Sequence, residues 1–196
     1  MSQMRDSEQL PEARDPAAAS RATHRHRRVP ALLLPWLFGC LTEGCATTPR
    51  PGPESVDFVM PDGQRASLAS FRGRVVIVDV CASWASACNL NARVLDEVAE
   101  ALRDQPVEVV TLLLEEGPLA SEAQRSYVEV LGVRHLVVLA GGHVLSGTSL
   151  LGAGRDVPRL LVLDARGRVA IDEVGGIVSV AGVVERVRPL LRSARR

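Results

Sequence analysis

Two hydrophobic patterns divide this chain: runs that are apolar throughout, and runs in which apolar residues return every three or four positions. Residues 75–80, Val-Val-Ile-Val-Asp-Val, form the strongest continuous run. A short β-branched stretch bounded by Gly73 predicts a strand buried on both faces. Beyond Cys88, Leu90, Val94, Leu95, Val98 and Leu102 return at helical spacing, while Arg93, Asp96, Glu97, Glu100 and Arg103 cover much of the opposite face. That is the pattern of an amphipathic helix. Residues 107–114 predict a second buried strand, 121–131 a helix and 135–140 a short strand. Residues 157–164 and 169–174 make a hairpin about the turn Ala165-Arg-Gly-Arg168, and 180–191 a closing helix. Ahead of the first long strand, 56–64 reads as a short strand with a Pro61-Asp-Gly63 turn. Residues 141–154, rich in Gly, Ser and Thr, carry no periodic signal. The order of elements predicts an α/β domain with a central mixed sheet flanked by helices.

The N-terminal quarter has a different character. Residues 1–28 are a polar extension ending in His24-Arg-His-Arg-Arg28, and an apolar run begins at Val29. That run contains Pro30 and Pro35 and is too short to span a bilayer as a helix. A basic flank followed by a short apolar stretch is the layout of an export signal. The segment 29–45 resembles a bacterial lipoprotein signal, which implies lipidation of a cysteine that becomes the new N-terminus. Cys40 has the better upstream box, Leu37-Phe-Gly39. Cys45 has the more typical downstream tether, Ala46-Thr-Thr-Pro-Arg-Pro51. A cleaved secretory signal or an uncleaved anchor remains the alternative. Residues 46–54, with three prolines and a glycine, predict an extended linker, leaving 55–196 as one globular domain without internal repeat.

Composition narrows the chemistry. A formal net charge of +0 gives no reason to expect a nucleic-acid partner. All 23 basic residues are arginine, which excludes a lysine nucleophile or Schiff base. Aromatic residues are only 3%, so the core must be Val, Leu and Ala, and Trp84 is the only tryptophan outside the signal-like segment.

Trp84 stands in Val80-Cys-Ala-Ser-Trp-Ala-Ser-Ala-Cys88, between the buried strand and the helix. With the strand before it, the helix after it and the later Val157-Pro-Arg-Leu-Leu-Val-Leu-Asp-Ala-Arg-Gly-Arg-Val169, this stretch resembles the TlpA/ResA-like redoxins of thioredoxin fold. Their signature is strand, Trp-Cys-x-x-Cys, helix, and the resemblance spans residues 55–192. It implies thiol–disulfide oxidoreductase ancestry, no cofactor, a protein or peptide thiol or disulfide partner in the envelope, and membrane attachment through the lipid anchor. It also implies site residues. Cys88 matches the second cysteine, Asp79 a buried aspartate that assists it as proton acceptor, and Pro158 a cis-proline. Trp84, Val157 and Pro158 would shape the substrate groove. The position of the attacking cysteine is Ala85.

A dithiol cycle needs one thiolate exposed at a helix N-terminus and a second thiol one turn later that resolves the mixed disulfide. Alanine cannot form that mixed disulfide, so the ordinary cycle is not expected to run. Two functions then compete: a residual redox role carried by Cys88, or a non-catalytic module that keeps the peptide-facing groove. Cys81 is most simply a small buried hydrophobe. A disulfide with Cys88 would have to bridge the strand end and the first helical turn, a demanding separation. A Cu(I) site using Cys81, Cys88 and His143 lacks the spacing of copper-delivering relatives. A peroxiredoxin-like role for Cys88 lacks the threonine that would stand at Ala85. Glu115, Glu116 and His135 read as solvated or satisfied structural residues, and Arg186, Arg188, Arg192, Arg195 and Arg196 as a solvated helix end.

Overall fold

A computed structural model describes residues 51–194. The expected extension 1–28, the signal segment 29–45 with Cys40 and Cys45, most of the 46–54 linker, and Arg195 and Arg196 lie outside the described residues. Among the described residues, no helix is long and apolar enough to cross a membrane.

The strands are β1 (Asp57–Val59), β2 (Arg65–Ser67), β3 (Val75–Cys81), β4 (Val107–Leu113), β5 (Leu136–Ala140), β6 (Arg159–Leu163) and β7 (Val169–Val174). The helices are α1 (Ser86–Ala101), α2 (Ala120–Leu131), the single turn α3 (Gly142–Leu145) and α4 (Val180–Ala194). The seven strands form one mixed sheet in the order β2-β1-β5-β4-β3-β6-β7. β3 runs parallel to β4, and β4 to β5, each through a helical crossover, while β6 pairs antiparallel with β3 and carries the hairpin to β7. β3 is central and buried at every residue, which is what its unbroken apolar run demands.

Strand alternation gives β3 two faces. Val76, Val78 and Val80 pack with Val56, Phe58, Leu68, Val144 and Leu151. Val75 and Ile77 pack on the other side with Leu95 and Val98 of α1 and Val183 and Val187 of α4. Asp79 and Cys81 continue that second face toward the strand's C-terminal end, so a carboxylate and a thiol side chain are carried under the start of α1 by the same periodicity that builds the core. The edge strands are short or charged: β2 has three residues, and β7 carries Asp172 and Glu173.

Three expectations need adjustment. Pro53–Ser55 forms a 3-10 turn with Pro53 buried, and Pro53 lies under Gly167 of the β6–β7 turn, so the packed domain begins before Ser55. Leu90 is 52% exposed; the buried face of α1 is completed by Cys88, Asn91 and Ala92. Asp96, expected on the solvated face, is drawn into the hydrogen-bonded cluster described below.

Candidate functional site

β3 ends at Cys81, residues 82–85 cross above the sheet, and α1 begins at Ser86 with Ala85 as its N-cap. Alanine offers no side-chain acceptor, and no side-chain hydrogen bond caps this helix. Trp84, beside the cap, is 76% exposed, which for the largest apolar side chain is unusual outside a contact surface. The Val157–Pro158 peptide is cis, as the resemblance implied. The β3–β6 ladder begins at Arg159, so the peptide of Val157 lies beyond it, and Val157 packs in the same cluster as Ala85, Cys81 and Cys88. Cys88, Ala85 and Val157 are therefore brought to one end of the sheet, with Trp84 and Pro158 adjoining them in the chain.

Cys81 and Cys88 are joined by a disulfide whose Cα atoms are 5.6 Å apart. This corrects the expectation of a free, merely space-filling Cys81. The separation that looked demanding falls inside the ordinary disulfide range, because α1 starts directly over the end of β3. Both cysteines are 0% exposed. They lie among Ala92, Leu113, Tyr127, Val133, Val137 and Leu139.

Asp79 lies directly against this bond, its Oδ2 3.0 Å from Cys81 Sγ. A bonded sulfur carries no hydrogen, so in the disulfide form the protonated carboxyl is the donor; once the thiol forms, the roles exchange. Burial pushes the Asp79 carboxyl up to about 7, against a smaller opposing effect from the Asn91 amide that hydrogen-bonds it. Asn91 also accepts from Val178 N–H at 3.0 Å and donates to Gly176 O, tying α1 to the segment after β7. Tyr127 donates to Cys88 O at 3.3 Å, and its phenol is pushed up by burial and then by the Asp79 charge. Sequence reasoning missed Asn91 and Tyr127. Asn91 had a usable signal, since it lies one turn before Leu95 on the helix's apolar face.

A second polar cluster lies on the neighbouring strands. His135 Nδ1 is 2.7 Å from Asp96 Oδ1, and its Nε2 is 2.8 Å from Thr111 Oγ1. Asp96 also accepts the backbone N–H groups of Arg134 and His135. Nδ1 thus donates to the carboxylate and Nε2 accepts the Thr111 hydroxyl. Thr111 is fully buried, so this arrangement cannot offer its hydroxyl to a substrate, and His135 is the satisfied structural residue expected. Glu115 is not simply solvated: its Oε1 accepts the N–H of Ser83 at 2.7 Å and fixes the loop over the disulfide. Glu116 pairs with the exposed Arg155. His143 is exposed on α3, with its backbone N–H held by Asp57. Among the described residues, no group of three or more His, Cys, Asp or Glu side chains could hold a metal ion.

A mixed sheet with a helix starting over its central strand, and a cis-proline opening the strand beside it, defines a thioredoxin fold. No protein-family model matches the chain. It is 23% identical to the thiol-disulfide oxidoreductase ResA of Bacillus thuringiensis strain Al Hakam over 126 residues, 63% of this chain and 69% of that protein. The same figures hold for ResA of Bacillus anthracis. A thiol:disulfide interchange protein of the thioredoxin family from Chlorobium tepidum superposes with a TM-score of 0.57 at 25% identity, covering 72% of this chain and 97% of that one. A secreted thiol-disulfide isomerase from Corynebacterium glutamicum gives 0.62 at 19% identity, covering 72% and 85%. The chain has a thioredoxin fold and is similar to thiol–disulfide redoxins of that fold.

Proposed function

We propose that this is an extracytoplasmic, thioredoxin-fold protein of thiol–disulfide oxidoreductase ancestry that binds extended protein or peptide segments without running the ordinary two-cysteine cycle. The observation that carries the reading is the start of α1. Ala85 occupies the N-cap, where a thiolate would be exposed, and Cys88 one turn later is sealed from solvent with its sulfur bonded to Cys81. A substrate disulfide brought to this surface meets no thiolate.

The recognition surface would be the exposed Trp84, the peptide of Val157 and the cis Pro158. An extended segment would add its backbone to Val157 in the manner of strand addition and lay an apolar side chain on the indole. The relatives named for thiol–disulfide exchange favour protein thiols or disulfides as partners, and the secreted relative favours a place outside the cytoplasm. The basic-then-apolar segment before Cys40 and Cys45 supports export and a lipid anchor at one of those cysteines.

The test is insulin-disulfide reduction by the wild type and by Ala85→Cys, with binding of a cysteine-containing extended peptide measured on both. Binding by both proteins with turnover only in Ala85→Cys is expected. Wild-type turnover would refute the reading, as would loss of turnover in Ala85→Cys together with absence of binding.

A further inference from the structure

Buried disulfides are ordinarily inert braces, yet the surroundings of Cys81–Cys88 set it apart. A carboxylate touches it: Asp79 Oδ2 lies 3.0 Å from Cys81 Sγ, itself 1% exposed and on the same face of β3 two residues back. Its cover is a short loop: residues 82–85 are held to the sheet end by Ser83 N–H on Glu115, and Leu114 N–H on Cys81 O closes the strand end. The turn of α1 that carries Cys88 has no side-chain cap, and the Tyr127 hydroxyl on Cys88 O is the side-chain contact that ties it to α2. The pair also packs against Ala85 and Val157, at the end of the sheet where a partner would dock.

We propose that Cys81–Cys88 is a redox-active centre moved from the helix N-cap into the core, exchanging with an external dithiol when residues 82–85 and the first turn of α1 lift, with Asp79 moving the proton of Cys81. The proposal deepens the preceding reading and rests on it only in taking Ala85 to leave no nucleophile at the surface.

The exchange balances with a dithiol as reductant. Its thiolate attacks Cys88 Sγ, a mixed disulfide forms, the Cys81–Cys88 bond breaks, and the departing Cys81 sulfur takes a proton from Asp79. The second thiol of the donor then attacks the mixed disulfide. The donor leaves as a disulfide, Cys88 takes a proton from solvent, and the donor's two thiol protons go to solvent. The protein has gained two electrons and, with Asp79 left ionised, one proton net. In reverse, Asp79 takes the Cys81 proton so that its thiolate can attack the mixed disulfide at Cys88. A carboxyl lifted to about 7 by burial is available in both forms near neutrality.

The titratable groups facing Asp79 are Cys81 on its own strand, Cys88 from α1 and Tyr127 from α2, with the neutral Asn91 amide from α1. Thr111 on β4 and Leu160 on β6 flank Asp79 in register, and the Thr111 hydroxyl is engaged by His135.

The full-length protein would be equilibrated in graded dithiothreitol buffers, its thiols trapped by alkylation and counted by mass, and its fold followed by circular dichroism. The expected result is reversible reduction of this pair with native ellipticity retained. Reoxidation in Asp79→Asn should be slower by at least about tenfold near pH 7, the gap closing above about pH 9, where the thiol ionises unaided. Reduction that occurs only together with unfolding overturns the proposal, as do cysteines that never pair or an Asp79→Asn profile superposing on the wild type. Should that variant not fold, the wild-type profile still decides: a rate that breaks near 7 supports Asp79, and a break only in the ordinary thiol range removes it. Insulin turnover by the wild type that vanishes in Cys81→Ser would refute the preceding section and support this one, whereas a native disulfide immune to dithiol leaves that section standing and ends this one.

Discussion

Two carboxylates lie against the same sheet, Asp79 buried and Asp96 half-buried, and their surroundings resolve them in opposite ways. Asp96 receives two backbone N–H groups and the ring N–H of His135. Burial pushes its carboxyl up, but these bonds outweigh it and hold the group below its ordinary value. Asp79 has one amide and a sulfur for company, so burial prevails and the group stands near neutrality. A carboxylate supplied with donors becomes a structural tie, here binding α1 to the loop before β5. One starved of them becomes a place to put a proton. The residue type does not distinguish them; the shallower position of Asp96 and its larger number of donors do.

The comparison is broken most forcefully at Asp79. Its folded value is raised from 3.8 to about 7, so the contribution is present at acid pH and is lost as pH rises through the folded value. Asp79→Asn should therefore stabilise the protein above neutrality, by up to about 4 kcal/mol in the limit of full burial, and do little near pH 4. Denaturant unfolding at the two pH values measures this, and a variant less stable at pH 8 would show that the carboxylate is better satisfied than its neighbours suggest. Next in size is the disulfide itself. Replacing both Cys81 and Cys88 with alanine should cost about 2.5 kcal/mol, the loop-closure value for so short a ring, read as a shift in denaturant midpoint.

The opposite sign belongs to the other cluster. His135 is kept neutral, burial pushing it down against the pull of Asp96, and Asp96 is itself held low. Both contributions are present above the unfolded values and fade as pH falls, His135 first below 6.5 and Asp96 later. Asp96→Asn should cost about 2 kcal/mol at pH 7, the value of hydrogen bonds to a charged acceptor, and progressively less in acid. A melting series from pH 2 to 8 on both aspartate variants should give opposite trends, the Asp79→Asn gain growing between about pH 4 and 7 and the Asp96→Asn cost fading only below the ordinary carboxylate value of 3.8. Parallel trends would dissolve the distinction.

Much of the frame was legible because it depends on periodicity. The run 75–80 announced the central strand, and the hairpin about Ala165-Arg-Gly-Arg168 announced β6 and β7. The site was less legible because its partners meet only in three dimensions. Cys81 could be judged against Cys88 only once α1 was seen to start over the end of β3. Asp96 looked solvated because helical spacing records which face a residue occupies and not what the loop before β5 brings against that face. Leu90 shows the converse, an apolar residue on the apolar stripe that the fold leaves outside, close in sequence to Trp84 on the surface proposed for a partner.

The smallest effect tests what holds the two ends of the disulfide under cover. Serine at position 85 can accept the N–H of Cys88 and cap the first turn, which alanine cannot. Ala85→Ser should add about 1 kcal/mol to stability, and if lifting that turn is the route to the sulfurs, dithiol reduction should slow by about fivefold. The stability contribution of the Asp96 cluster, lying elsewhere on the sheet, should be unchanged, as a double-mutant cycle with Asp96→Asn would register. The same variant isolates chemistry from size in Ala85→Cys, because serine matches cysteine in shape and supplies no thiol. Insulin turnover gained with cysteine and not with serine assigns the gain to sulfur at the cap. Faster reduction in Ala85→Ser would place the opening elsewhere, at the Glu115 contact that pins Ser83.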